Sequence, residues 1–132
     1  MDYVKIGGIS WDVLVTEIVE NFNILYDENT GRTMAIGAKM TLSPLGTFYG
    51  HKVTFVRKRG REKEFDDLFD FVSQPRTEGI DVEIVHNQET LSYKAYISNG
   101  ERSVKKIDPQ TNKVYWDALA LNIVPIEAQV KP

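Results

Sequence analysis

Apolar and polar residues alternate along most of this chain. Between residues 34 and 42 the apolar set is Met34, Ile36, Ala38, Met40 and Leu42, separated by Ala35, Gly37, Lys39 and Thr41. The alternation returns at Ile80, Val82 and Ile84 against Asp81 and Glu83, and again at Leu91, Tyr93, Ala95 and Ile97 against Ser92, Lys94, Tyr96 and Ser98. A period of two puts one side of a strand in a core and the other in water, as antiparallel sheets do.

Residues 3–6 predict a short first strand ended by Gly7-Gly8. Residues 11–27 predict a long strand, buried on both faces early and on one face later, because Val13, Val15 and Val19 give way to Asn21 and Asn23. A bend or bulge near Glu20-Asn21 marks the change. Residues 27–31 have turn composition, residues 34–42 form the next strand, and Ser43-Pro44-Leu45-Gly46 breaks it. Residues 47–59 predict a strand with Tyr49, His51, Val53 and Phe55 on one side and Lys52, Thr54 and Lys58 on the other.

The period then changes. Phe65, Leu68, Phe69 and Val72 fall at i, i+3, i+4 and i+7, the apolar stripe of an amphipathic helix over about residues 62–74. Glu62 and Glu64 suit its N-terminus, and Pro75 stops it. About three turns are too few for stability without packing on a sheet. Strands resume over residues 80–85 and 90–98. Asn99-Gly100 then predicts a tight hairpin with Gly100 at positive φ, and residues 102–107 as its return strand. After a loop over residues 108–113 comes a last strand to about residue 127. It carries Tyr115, Leu119, Leu121 and Ile123 on one face, and Pro125 places its end at a sheet edge. The sum is seven or eight strands and one helix, an α+β, mainly β fold in a single domain over residues 1–132.

Composition narrows the classes. The chain has 132 residues, 42% hydrophobic and 27% charged, which neither a disordered nor a membrane protein shows. A net charge of -3 gives no generic affinity for nucleic acid. With no cysteine there is neither a disulfide nor a thiolate zinc site. The opening residues lack the basic start and apolar run of a signal peptide, and no apolar stretch is long enough to span a bilayer.

Candidate chemistry is sparse. The two histidines, His51 and His86, lack the nearby His, Asp or Glu spacing of a metal site and read as strand packing or surface. Asp66, Asp67 and Asp70 lie opposite the apolar stripe, on a solvated helix face. Residues 27–31 have calcium-loop residue types without the twelve-residue spacing. No nucleophile elbow, phosphate loop or dinucleotide fingerprint is present. The expectation is no catalytic residue, no cofactor and no metal. The most conspicuous local feature is the run 57–63, in which Arg57, Lys58, Arg59, Arg61 and Lys63 are basic. It reads as a phosphate contact, as a solvated strand end balanced by Glu62 and Glu64, or as an ion-pair rim at a protein interface.

The order of these features resembles the small tail-tube and baseplate-adaptor proteins of phages and phage-like contractile particles from Gram-positive bacteria. The likeness is carried by Lys5-Ile6-Gly7-Gly8-Ile9-Ser10-Trp11, residues 15–28, residues 32–39, and Val53-Thr54-Phe55-Val56-Arg57. It continues through Glu64-Phe65-Asp66-Asp67-Leu68-Phe69 and residues 115–127. These are patterns of residue type rather than catalytic letters. The resemblance implies an antiparallel split β-barrel or β-sandwich with one packed helix and no catalytic residues. It implies a ring, hexameric in such families, that stacks on neighbouring tail or baseplate proteins. The place implied is the virion or tail-like particle, after synthesis in the bacterial host cytoplasm. No membrane is implied, and no nucleic acid except what passes through a lumen. The alternative is a small β-rich binding module that contacts nucleic acid through residues 57–63. Long strands such as residues 11–27 agree with the ring, because they expose pairing groups until a partner covers them.

Overall fold

The structure, a computed structural model, describes residues 3–27, 31–32 and 40–132. In chain order the elements are β1 (Val4–Ile6), β2 (Leu14–Tyr26), β3 (Gly31–Arg32), β4 (Met40–Thr41), β5 (Pro44–Val56), α1 (Glu62–Val72), β6 (Ile80–His86), β7 (Glu89–Ile107) and β8 (Val114–Pro125). Six strands form one open antiparallel sheet in the order β1-β6-β7-β8-β5-β2, and β3 and β4 form a separate two-stranded ribbon. The mainly β, antiparallel architecture with one packed helix is as expected. It takes the form of a single six-stranded sheet, not closed, since β1 and β2 at its ends do not pair among the described residues, which is consistent with the expected split-barrel or sandwich-like fold. Residues 34–39 of the expected 34–42 strand, and residues 28–30 of the expected turn, lie outside the described residues.

The register shows which side chains share the inner face. Ile6 faces Val82, Ile80 faces Ala95, Ile97 faces Ile123, Val53 faces Leu121 and Ile18 faces Val53. This face meets Phe65, Leu68 and Val72 of α1 in one buried cluster, with Trp11, Phe69 and Phe71 partly buried around it. The helix has the expected stripe but ends at Val72, because Ser73 caps it by donating its backbone N–H to the Phe69 carbonyl at 3.0 Å ahead of Pro75. Glu62 and Glu64 occupy its first turn. Two contacts fasten it. Gly7, at φ 67°, leaves the space that the Phe71 ring fills. The Arg102 guanidinium lies 3.7 Å from the Phe69 ring centre and 3.9 Å from that of Trp116, with Asp66 3.0 Å away.

The sheet curls strongly. Strands β6 and β2 are separated by β7, β8 and β5. In a flat sheet such strands would lie about 19 Å apart. Yet the His86 Nδ1 is 2.8 Å from the Glu20 carboxylate, and its ring centre is 4.8 Å from that of Tyr49. Side chains, not backbone ladders, therefore span the split between the two edges.

Several expectations are corrected. The bulge near Glu20-Asn21 is absent; the register shifts lie between Val15 and Glu17 and between Leu25 and Tyr26. Strand β2 is not buried on both faces early, since Leu14 and Val19 are exposed, nor on one face later, since Phe22, Ile24, Leu25 and Tyr26 are all exposed. Alternation reports what a strand could bury, and here only β5 lies beside β2. Strand β7 runs unbroken through Asn99-Gly100, with Asn99 opposite Asn122 and Gly100 opposite Leu121. The turns that bound β7 fall at Asn87-Gln88, with Asn87 at φ 54°, and at the expected loop over residues 108–113, with Asn112 at φ 57°. The long apolar β8 pairs with both halves of β7; a hairpin at residue 100 would strip half of that ladder. Gly100 does not have positive φ; a Cβ there would stand 2.6 Å from Leu121 Cδ2. Pro125 ends β8, which is flanked by β7 and β5, so it marks a strand terminus rather than a sheet edge.

Two outcomes follow in denaturant melts. Leu68→Ala should cost about 2–5 kcal/mol, and Phe69→Ala less than Phe65→Ala, because Phe69 is only partly buried. Gly100→Ala should cost about 1–3 kcal/mol through overpacking against Leu121. An unchanged midpoint for Gly100→Ala would remove the close approach as the reason for glycine.

Candidate functional site

The longest unpaired feature is β2. Among the described residues its 13 residues pair on one side only, with β5, and the other side ends the sheet. The opposite edge, β1, has three residues. An edge of this length presents a row of unpaired N–H and C=O groups, which proteins usually shorten, charge or cover. Here the edge exposes apolar side chains on both faces, with Asn21 and Asn23 between them on the outer one. Phe22 and Ile24 stand on the inner face beyond the core, and Leu25 stands on the outer face; Phe22 is 65% exposed.

Strand register makes two projecting ribbons. β5 pairs with β8 only over residues 51–55, while its earlier residues pair with β2 alone, apart from a bridge between Thr47 and Val130. The Gln129 side chain secures this stretch by accepting from the Tyr49 N–H and donating to its carbonyl, both at 3.0 Å. At the other end, β7 and β8 pair on to Ile107 and Val114, past the end of β5 at Val56. The ribbons therefore leave the core at opposite ends. Phe22–Tyr26 is the exposed apolar part of one; Val104, Ile107 and Val114 are that of the other.

The structure brings together His51 and His86, which are 35 positions apart and carried no pairing signal. Both donate to one oxygen of Glu20 at 2.8 Å, and the other nitrogen of His51 lies 2.7 Å from the Tyr93 hydroxyl. A neutral His51 satisfies both contacts if Nε2–H donates to Glu20 and Nδ1 accepts from Tyr93. His51 is 2% exposed. Burial holds its pKa below the ordinary value despite Glu20. Burial pushes the Glu20 carboxyl up, but the hydrogen bonds and charge of His86 and His51 outweigh it and leave it lowered. Burial also raises the Tyr93 hydroxyl. Both ring nitrogens of His51 are engaged and neither reaches solvent, so this chain of groups clamps the split of the sheet. Among the described residues, no group of three His, Asp or Glu is arranged to hold a metal ion.

The basic run is dispersed. Lys58 and Arg61 both hold Asp12, at 2.6 and 2.7 Å, and their hydrogen bonds keep the Asp12 carboxyl below its usual range. Lys63 pairs with Asp67 at 3.0 Å. Arg57 donates to the Trp116 carbonyl at 3.0 Å and lies 3.8 Å from Glu62. Arg59 makes no ion pair among the described residues. Together with Arg57 it lines a groove completed by Lys105 and Lys106 from β7, around Tyr115. Those two lysines were legible only as strand residues, because nothing local ties them to residues 57–59. The helix residues Phe65, Leu68 and Val72 belong to the core, with Phe69 packed at its margin, so they build the scaffold rather than a site. No helix of the described residues is long and apolar enough to cross a membrane.

No family model matches this chain, and no curated protein matches it.

The clamp has a pH signature. The folded pKa of His51 lies below 6.5, so the unfolded chain takes up protons first and stability falls as pH drops through that window. The folded pKa of Glu20 lies below 4.5, so its contribution is present above 4.5 and is lost as pH falls through the folded value. Both act in one direction. The melting temperature should decline from pH 7 toward acid, and Glu20→Gln should flatten the most acidic part of the profile. Superimposable profiles for the two proteins would show that the carboxylate is not linked to folding.

Proposed function

We propose that this protein is a structural subunit of a phage tail or tail-like particle, with no chemistry of its own. It assembles as a ring in the tube or at the tube–baseplate junction. The observation that carries this reading is the β2 edge, unpaired over 13 residues among the described residues and bearing the exposed apolar side chains Phe22, Ile24 and Leu25. A second copy covering that edge would satisfy its ladder groups and bury Phe22, Ile24, Leu25 and Tyr26, and closed rotational symmetry would end the growth. The ribbons at opposite ends of the core give each copy two separate apolar surfaces, as a head-to-tail ring requires. Its partners are further copies of itself and neighbouring tail or baseplate proteins, and its place is the particle.

One observation favours the alternative, a nucleic-acid contact. Arg57, Arg59, Lys105 and Lys106 share one groove with only Glu62 and Asp117 against them, in a chain whose net charge is -3. The intramolecular pairing of Lys58, Arg61 and Lys63 weakens it, since those three cations already have carboxylates.

The deciding measurement is electron microscopy that traces chains in the native particle, together with the double variant Phe22→Lys/Ile24→Lys. The variant should fold, because both side chains are exposed, and should fail to enter the ring. A location outside any particle, or normal assembly of the variant, would overturn the reading. Loss of salt-dependent DNA binding in Arg59→Glu/Lys105→Glu, with assembly intact, would favour the alternative.

A further inference from the structure

We infer that the outer face of the sheet holds a binding cleft for a neutral, polyhydroxylated ligand, a short oligosaccharide. The cleft has a volume of about 470 Å³ and runs across β2, β5, β8 and β7, on the side away from the helix. That is within the size range of small-molecule sites, about 300–1,000 Å³. The cleft shares β2, and Leu25 in particular, with the edge used in the ring reading, but it draws on the outward side chains of Asn21 and Asn23 rather than on unpaired backbone groups.

The chemistry of the lining selects the ligand. Twelve residues form it, and none is Asp, Glu, Lys or Arg. At 27% charged, twelve residues of this chain would carry about three such groups. The only histidine among them, His51, turns its ring to Glu20 and Tyr93 on the inner face. In place of charge the lining has amides: Asn21 and Asn23 from β2 and Asn122 from β8, with Ser98 nearby. A primary amide offers two donors and one acceptor side by side, and a sugar hydroxyl both donates and accepts. Carboxylates would accept only, and phosphate recognition would need cations. Asn122 is bonded to Asn99. The side chains of Asn21 and Asn23 have no partner among the described residues and are exposed, so their capacity is open to a ligand.

The shape is built for a ring. Gly50 lies in the interior of β5 opposite Asn21, and a Cβ there would meet the Asn21 amide oxygen at 2.8 Å. Glycine inside a strand, without positive φ, commonly marks a place where another group approaches the backbone closely. Here it clears the floor beneath the Asn21 amide. Val124 and Phe48 supply apolar surface, and Tyr96, 49% exposed, stands at the rim with its ring available for the C–H face of a pyranose. An apolar floor with a few convergent hydrogen-bonding groups is the usual make-up of a small-ligand site.

The test titrates the full chain with chitotriose, maltotriose and cellotriose, read by calorimetry and by shifts of the Asn side-chain amide signals. At least one trisaccharide should saturate with a Kd of about 1 mM or tighter. Asn21→Ala/Asn23→Ala should weaken it by about tenfold or more through lost hydrogen bonds. Gly50→Val should block the cleft while keeping a residue that suits a strand. All variants should melt like the parent, and Arg59→Glu, remote from the cleft, should bind normally. No saturation by any of the three sugars overturns the inference. So does a self-association abolished by the same cleft variants, which would assign the face to a second copy, or saturable binding of oligothymidine there.

Discussion

One short helix has to cover the apolar face of six strands, and it cannot. An 11-residue helix is about 16 Å long. Six strands side by side span about 24 Å. The sheet therefore curls until its own inner face helps to bury itself, and most other features of the molecule follow from that curl. It brings β6 toward β2 across the split, sets His86 against Tyr49, and leaves Glu20 as the common acceptor of two histidines that belong to different strands. Arg102, stacked between Phe69 and Trp116, ties the helix to the β7–β8 ribbon at the other side of the same core.

Closing the split with side chains rather than with a backbone ladder has a structural consequence. The edge groups of β2 remain available along the strand, while the clamp holds the curvature that positions them. A barrel closed by hydrogen bonds would have no edge to offer a neighbour. The clamp thus reconciles a self-sufficient core with an edge suited to assembly. It also accounts for the burial of His51, whose two ring nitrogens are both used to hold strands together.

The three exposed surfaces differ in chemistry. The β2 edge is ladder-forming and carries exposed Phe22, Ile24 and Leu25. The groove between the end of β5 and the β7–β8 ribbon holds four cations with Glu62 and Asp117 among them. The outer sheet face is neutral and amide-rich, and it meets the edge at β2, where Leu25 belongs to both.

Much of the architecture was legible from alternation alone. The strands around Val53, Val82, Ala95 and Leu121 and the helix stripe of Phe65, Leu68 and Val72 are set by local periodicity, because a side chain's face follows from its position in the strand or helix. Local signals failed where the outcome depended on a distant partner. Asn99-Gly100 had hairpin chemistry, but pairing with β8 kept β7 straight. Phe22, Ile24 and Leu25 had core chemistry, but among the described residues no element covers that end of β2. The basic run was conspicuous in the chain, yet Asp12, Asp67 and Glu62 pair with most of it in space, and Arg59 joins Lys105 and Lys106 from elsewhere. Composition and periodicity determined that this chain makes a helix-backed antiparallel sheet. Tertiary structure alone decided how far the sheet curls, and hence that Glu20 meets two histidines and that four asparagines gather on or beside one uncharged outer face. Those meetings depend on inter-strand register and curvature, quantities to which residues far apart in the chain contribute jointly.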